Sequence, residues 1–355
     1  MEGTLRDGVV HVGGDARQRF HDARGYGRPL DDGTIELAPV EAAHLLFRGD
    51  LDAVVTTDDG RIGFRDLLDR AGGPGDRFEL RFLTYADLRS RGFYCSPVRE
   101  DWVPELATES DLPPVDFVVY ERGTGPGDGQ IAYRIRVVGE REPIPAADLG
   151  DLVLSIVDEE SEVTYLETGR PSLDGTTVYE LPSEIPGRLL ADRVLVWEYP
   201  TGLYERAFFG RPLGEREELL QLSLVEGAYL AARGALALET DRMTGYDAVV
   251  ERGRAVEGER FDRRLRTYAD LRERGVVPKT GFKFGADFRT YADVTSVDDL
   301  GHSELLVRVL SRDHAFHPRD LALDVRLAGG VRKRMVFARE DGDELDWIAV
   351  DRLTP

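Results

Sequence analysis

Three stretches near the end of the chain concentrate side chains that can move protons and hold anionic charge. They run Lys279-Thr280-Gly281-Phe282-Lys283-Phe284-Gly285-Ala286-Asp287-Phe288-Arg289-Thr290-Tyr291, Gly301-His302-Ser303-Glu304-Leu305-Leu306-Val307-Arg308-Val309-Leu310, and Asp324-Val325-Arg326-Leu327-Ala328-Gly329-Gly330-Val331-Arg332-Lys333-Arg334. His302 carries an imidazole, which titrates near neutrality and suits a general acid. Lys333 is one of only three lysines, with Lys279 and Lys283, and its ammonium suits the charge of a phosphate. The Tyr291 phenol has a reference pKa of about 10, so it becomes a base only if cations such as Lys333 and Arg334 lower it. Singly, each has a plainer reading. A tyrosine ending a strand packs, a histidine at a strand start meets solvent, and a lysine between arginines makes a basic turn.

These residues must be positioned by a fold, and the chain repeats itself. Gly27-Arg28-Pro29-Leu30 returns as Gly210-Arg211-Pro212-Leu213, and Tyr85-Ala86-Asp87-Leu88-Arg89 as Tyr268-Ala269-Asp270-Leu271-Arg272, both offset by 183 residues. Val40-Glu41 returns as Val225-Glu226, offset by 185, and Asp116-Phe117 with Tyr120 as Asp287-Phe288 with Tyr291, offset by 171. The first copy therefore holds about a dozen extra residues, assigned to the Pro- and acid-rich stretch Ser96 to Val115, a loop by composition. The copies meet near Pro182 to Pro186.

Each copy reads as a mixed α/β unit in two lobes. Short strands come first, such as Val9 to Val12 and Val194 to Trp197. Two helical stretches follow, one containing Val225 to Ala237 and one containing Phe261 to Arg274. Alternation over Phe282 to Tyr291 and the branched run Leu305 to Leu310 predict strands. Pro318 to Leu327 predicts a helix with proline early and Gly329-Gly330 as its stop. Arg334 to Ala338 and Trp347 to Val350 close the copy as strands. The expected division is residues 1–78, 79–182, 183–258 and 259–355, an N-terminal lobe and a β-β-α-β-β lobe in each copy.

The three motifs together resemble the catalytic domain of archaeal tRNA-splicing endonucleases of the two-repeat, homodimeric type. The likeness is close over about the last hundred residues and reaches the rest through the repeat. It implies that Tyr291 is the base, His302 the acid and Lys333 the cation that holds a phosphorane, at spacings of 11 and 31 residues. It also implies a pair of arginines that stack on a bulged base; Arg326 matches one and Arg352 is chosen for the other. The expected reaction is metal-independent cleavage of bulge-helix-bulge RNA in precursor tRNA, or in precursor rRNA of the same shape. It would leave 2′,3′-cyclic phosphate and 5′-hydroxyl ends and use no cofactor. Two chains would pair to cut both bulges, with acidic loops such as Glu340 to Glu344 or the stretch around Asp174 docking on the partner.

The first copy departs from this pattern. Tyr120 keeps the tyrosine position, Gln130 stands for His302, and Glu162 is read opposite Lys333. This copy is therefore expected to be structural. Two other readings compete. A metal-dependent DNA nuclease needs clustered carboxylates, commonly an acid two residues before a lysine, and Val331 occupies that place. A non-catalytic RNA-binding or scaffold subunit would not need the intact set of three.

Composition bounds the setting. A formal net charge of -21 disfavours nucleic acid by itself, yet nearly all of the 46 basic residues are arginine. Acid excess with scarce lysine fits a protein adapted to molar salt, where charge is screened within about 3 Å. The lone Cys95 excludes an intrachain disulfide and a cysteine-based zinc cluster. Without a signal sequence or a long apolar run, a cytoplasmic protein with neither membrane nor DNA partner is expected.

Overall fold

A computed structural model describes residues 1–30, 33–73, 77–99, 102–103, 106, 114–214, 218–239, 244–342 and 344–355. Two compact units form, one of residues 1–169, 315–322 and 351–355, the other of 170–314 and 323–350. No helix among the described residues is long and apolar enough to cross a membrane.

The first unit opens on a sheet in which Glu2–Arg6 pairs antiparallel with Val9–Val12 and parallel with Ala53–Thr56. Helices Pro39–Arg48, Phe64–Ala71 and Phe78–Ser90 follow the early strands. A second set of strands then runs, in spatial order, Cys95–Pro97, Phe117–Tyr120, Ile131–Gly139, Leu152–Val157 and Val163–Gly169. Much of the extra stretch (residues 100–101, 104–105 and 107–113) lies outside the described residues.

The second unit repeats the plan. Ile185–Leu189 pairs antiparallel with Arg193–Trp197 and parallel with Leu236–Leu238. Its second set of strands runs Val277–Thr280, Phe288–Tyr291, Leu305–Leu310, Arg334–Asp341 and Glu344–Leu353. In both sets only the third and fourth strands are parallel.

The mixed α/β class and the tandem repeat agree with the sequence reading; several elements within it differ. The helix read through Ala237 is Leu224–Ala232, because the chain turns at Gly234 (φ 69°) and Leu236–Leu238 is claimed by the sheet. A helix at Gly245–Glu257 was not read from the sequence. The alternating stretch Phe282 to Tyr291 is a 3-10 turn at Phe282–Phe284 followed by the strand Phe288–Tyr291. The glycines Gly329-Gly330 form the last turn of the helix Pro318–Gly330, and the left-handed residue beyond it is Arg332 (φ 56°). In the first unit the place of that helix is taken by a single 3-10 turn, Ala146–Asp148.

That shorter crossover corrects one equivalence. Ile135 pairs with Val153, and Val307 with Val336, in the same positions of the parallel pair. Counting back along the fourth strand puts Gly150, not Glu162, opposite Lys333. Glu162 is exposed in the turn before Val163–Gly169, and its backbone N–H donates to Asp158. The linear alignment failed because the first copy lacks the crossover helix.

The two cores are built alike. In the first unit Tyr26, His44, Tyr85 and Phe117 stack around one another, with the Arg89 guanidinium 3.9 Å above Tyr26. In the second, Phe209, Tyr229, Tyr268 and Phe288 do the same, with Arg272 3.9 Å above Phe209. Each core also buries one glutamate at the start of a helix. Glu41 accepts from the N–H groups of Gly27 and Ala38, and Glu226 from those of Gly210 and Ser223.

Among the described residues only Glu226 forms an ion pair, with the Lys279 ammonium at 2.9 Å, while Arg89 and Arg99 act on Glu41 without pairing with it. Strand pairing puts Ser96 where the second unit has Lys279. Burial therefore pushes Glu41 up to about 7, even against its two N–H donors. Burial would raise Glu226 as well, but Lys279 and the backbone donors outweigh it and hold the carboxyl at about 2.

The signs are opposite. Between the unfolded value near 4.5 and the folded value near 7, the folded protein binds the extra proton on Glu41, so stability falls as pH rises through that window. Glu226 contributes stability that is present above 4.5 and lost as pH falls toward about 2. Glu41→Gln is expected to flatten the fall between those pH values by on the order of 3 kcal/mol, measured by denaturant unfolding at a series of pH values. An unchanged slope would show that Glu41 is ionised in the folded state throughout.

Candidate functional site

Backbone bonds draw the three motifs to one place in the second unit. The Glu304 N–H donates to the Thr290 carbonyl at 3.1 Å, and the Arg334 N–H donates to the Glu304 carbonyl at 3.0 Å. Thr290, Glu304 and Arg334 thus lie side by side across three neighbouring strands. Tyr291 follows the first of them, while His302 and Lys333 precede the other two by two residues and one.

The crossover helix delivers Lys333. After Pro318–Gly330 the chain turns back through Arg332, and the Lys333 N–H donates to the Ala328 carbonyl at 2.9 Å. The Lys333 ammonium donates to the Ser303 carbonyl at 2.5 Å, directly after His302, and lies 5.6 Å from the centre of the Phe284 ring. Burial lowers the pKa of Lys333, and the charge of Arg289 lowers it further.

Tyr291 is 7% exposed and packs with Phe208, Val277 and Val294. Its following loop is tied down by the segment entering the unit. The Thr176 N–H donates to the Ala292 carbonyl at 2.8 Å, and the Val294 N–H donates to the Thr177 hydroxyl at 2.9 Å. The stretch around Asp174 is therefore held by its own chain, where the Gly175 N–H also reaches the Arg274 carbonyl. His302 is exposed on the loop before Leu305–Leu310.

Arg326 is exposed on the crossover helix, with no ion pair among the described residues. Arg352 is exposed on the strand Glu344–Leu353, in the part that clusters with the first unit. The structure thus gathers Tyr291, His302 and Lys333 in one unit. Asp343, within the acidic stretch Glu340 to Glu344, lies outside the described residues.

Sequence reasoning missed Arg289. Its guanidinium lies 5.8 Å from the Tyr291 ring, and it is the cation that acts on Lys333. Arg289 and Lys279 also line a cavity of about 530 Å³ with Tyr204, Phe208 and Arg264. The available signal was position, since Arg289 stands two residues before Tyr291 and so faces the same side of the strand. Among the described residues no three His, Cys, Asp or Glu side chains group so as to hold a metal ion.

Residues 261–347 match the family described as tRNA intron endonuclease, catalytic C-terminal domain. Residues 1–68 and 185–249 each match the N-terminal domain of tRNA intron endonuclease. The chain belongs to the tRNA intron endonuclease family. Its relatives include a tRNA-splicing endonuclease of Haloarcula marismortui, 57% identical with both chains fully covered. One of Natronomonas pharaonis is 58% identical, again over the whole of both chains. One of Methanococcoides burtonii is 38% identical over 95% of each. Two N-terminal-domain matches in one chain repeat what the internal offsets and the twin cores display. Within this endonuclease, the three motifs of the sequence fall on one end of the second unit's strands.

With three lysines in the chain, lysine-specific isotope labelling should resolve Lys333 by NMR. Arg289→Gln is expected to raise the Lys333 titration midpoint. A midpoint that does not move would mean that Arg289 does not act on it.

Proposed function

We propose that this chain excises introns from precursor tRNA as a metal-independent endoribonuclease cutting bulge-helix-bulge RNA. The observation that supports it best is the lateral row Thr290, Glu304 and Arg334, which brings Tyr291, His302 and Lys333 to the same end of three strands. Family membership supplies the substrate class.

In this reading the ribose 2′-hydroxyl attacks the adjacent phosphorus. Tyr291, as the phenolate, takes the 2′ proton, and the bond to the leaving 5′-oxygen breaks as His302, as the imidazolium, gives that oxygen its proton. Lys333, with Arg289 behind it, offsets the negative charge of the phosphorane. The products are a 2′,3′-cyclic phosphate and a 5′-hydroxyl, and no metal ion enters the step. Arg326 and Arg352 stack on a bulged base.

The four lobes, 1–78, 79–182, 183–258 and 259–355, form one catalytic and one structural half. A homodimer supplies two active sites for two cuts. The acid-rich, lysine-poor surface suits work in the cytoplasm at molar salt.

Cleavage is expected to persist in EDTA with cyclic phosphate ends; activity lost in EDTA and restored by Mg²⁺ would overturn the mechanism. His302→Ala should slow single-turnover cleavage by about 10²–10⁴-fold. Gln130→Ala and Glu162→Ala should cleave near the wild-type rate beside an inactive Lys333→Ala. Light scattering in molar salt should report a dimer, and an active monomer would refute that assembly.

A further inference from the structure

The two units turn the chain in the same way at one point and fill that point with opposite residues. In the first unit the Gly25 N–H donates to the His21 carbonyl at 2.7 Å and the Tyr26 N–H to the Phe20 carbonyl at 3.0 Å. In the second the Phe208 N–H donates to the Tyr204 carbonyl at 2.9 Å and the Phe209 N–H to the Leu203 carbonyl at 3.0 Å. Gly25 and Phe208 are therefore equivalent, and both are left-handed, with φ of 65° and 53°. Glycine adopts that conformation freely; phenylalanine does so only against steric strain.

The side chains around the turn are exchanged to match. A Cβ on Gly25 would stand 3.1 Å from the Tyr94 ring, so in the first unit a tyrosine fills the space beside the turn. Val277 is the counterpart of Tyr94 one repeat later, and its smaller side chain packs with Phe208. The aromatic bulk has moved from the strand to the turn. There it meets Tyr291, ring centres 5.7 Å apart and tilted by 60°.

The strained residue is pinned by Lys279. Its ammonium donates to the carbonyls of Phe208 at 3.1 Å and Gly210 at 3.0 Å, and to Glu226 at 2.9 Å. It also lies 4.7 Å from the centre of the Phe208 ring. The first unit has Ser96 at this place, and Ser96 accepts from the Tyr120 hydroxyl instead. The strained turn, its pin and the space for its ring thus occur together, and only in the unit that carries His302 and Lys333.

We infer that Phe208, held left-handed by the buried Lys279–Glu226 pair, is a positioning residue that fixes the ring of Tyr291 for proton transfer. The inference rests on the reading of Tyr291 as the base. A strained residue is retained where the surrounding bonds over-determine it and its placement is used. A base displaced by a fraction of an ångström loses rate without losing substrate.

The test is single-turnover cleavage of a bulge-helix-bulge RNA, with RNA affinity and melting temperature measured on the same preparations. Phe208→Gly relieves the left-handed strain but removes a buried ring, so it should melt below the wild type while staying folded at the assay temperature. Its cleavage rate should fall by about tenfold to a hundredfold with RNA affinity unchanged. Phe208→Tyr, which keeps the ring, should recover most of the rate. The double variant Lys279→Met with Glu226→Gln keeps the ring but frees the turn, and should lose rate in the same way. Wild-type rates in Phe208→Gly beside an inactive Tyr291→Phe would overturn the inference while leaving the tyrosine reading in place. Wild-type cleavage by Tyr291→Phe would remove that reading and the inference with it.

Discussion

A parallel pair of strands within an otherwise antiparallel set governs the second unit. Leu305–Leu310 and Arg334–Asp341 run in the same direction, so the chain between them must cross back over the sheet. It does so as the helix Pro318–Gly330, and the reversal after that helix, through the left-handed Arg332, sets Lys333 against the carbonyl of Ser303. The same pairing occurs in the first unit between Ile131–Gly139 and Leu152–Val157, but there the crossover holds one 3-10 turn. Gly150 arrives where Lys333 would be. The length of one crossover therefore separates a unit that presents a cation from one that does not.

Buried charge follows the same division. Both cores bury a glutamate that binds the N–H groups at a turn and at a helix start, which is a structural task common to both. A carboxylate removed from water without a counterion is disfavoured, and in the first unit burial raises Glu41 accordingly. In the second unit Lys279 neutralises Glu226 and also spends two hydrogen bonds on the turn that carries Phe208. Two of the chain's three lysines thus act within one region, where arginine's broad fork would be a poor substitute for a compact ammonium.

The site is also a matter of what stands behind each group. Tyr291 rests on Phe208, Val277 and Val294, and its loop is bonded to Thr176 and Thr177. Lys333 is partly withdrawn from water and feels Arg289. His302, by contrast, is exposed on its loop. Two groups are held by packing and the third by the loop alone, an arrangement that leaves the His302 imidazole accessible from solvent.

The sequence by itself determined the repeat, the mixed α/β class and the motifs that belong together, because offsets of 183 and 171 residues and rare residue types survive without any geometry. It could also exclude a disulfide, since one cysteine has no partner in the chain. It misjudged the elements whose ends are set by competition with a sheet, as where Leu236–Leu238 pairs with Ile185–Leu189 instead of extending a helix. It matched Glu162 to Lys333 because a linear alignment has no means of knowing that the first crossover lost its helix. Only the tertiary structure decided that Gly150 is the true counterpart, that Arg289 acts on Lys333, and that Gly25 and Phe208 are both left-handed. Each of those depends on strand register or on a backbone dihedral. Register is fixed by hydrogen bonds between residues far apart in the chain, and the turn by backbone bonds such as Phe209 to Leu203 that side-chain type does not specify.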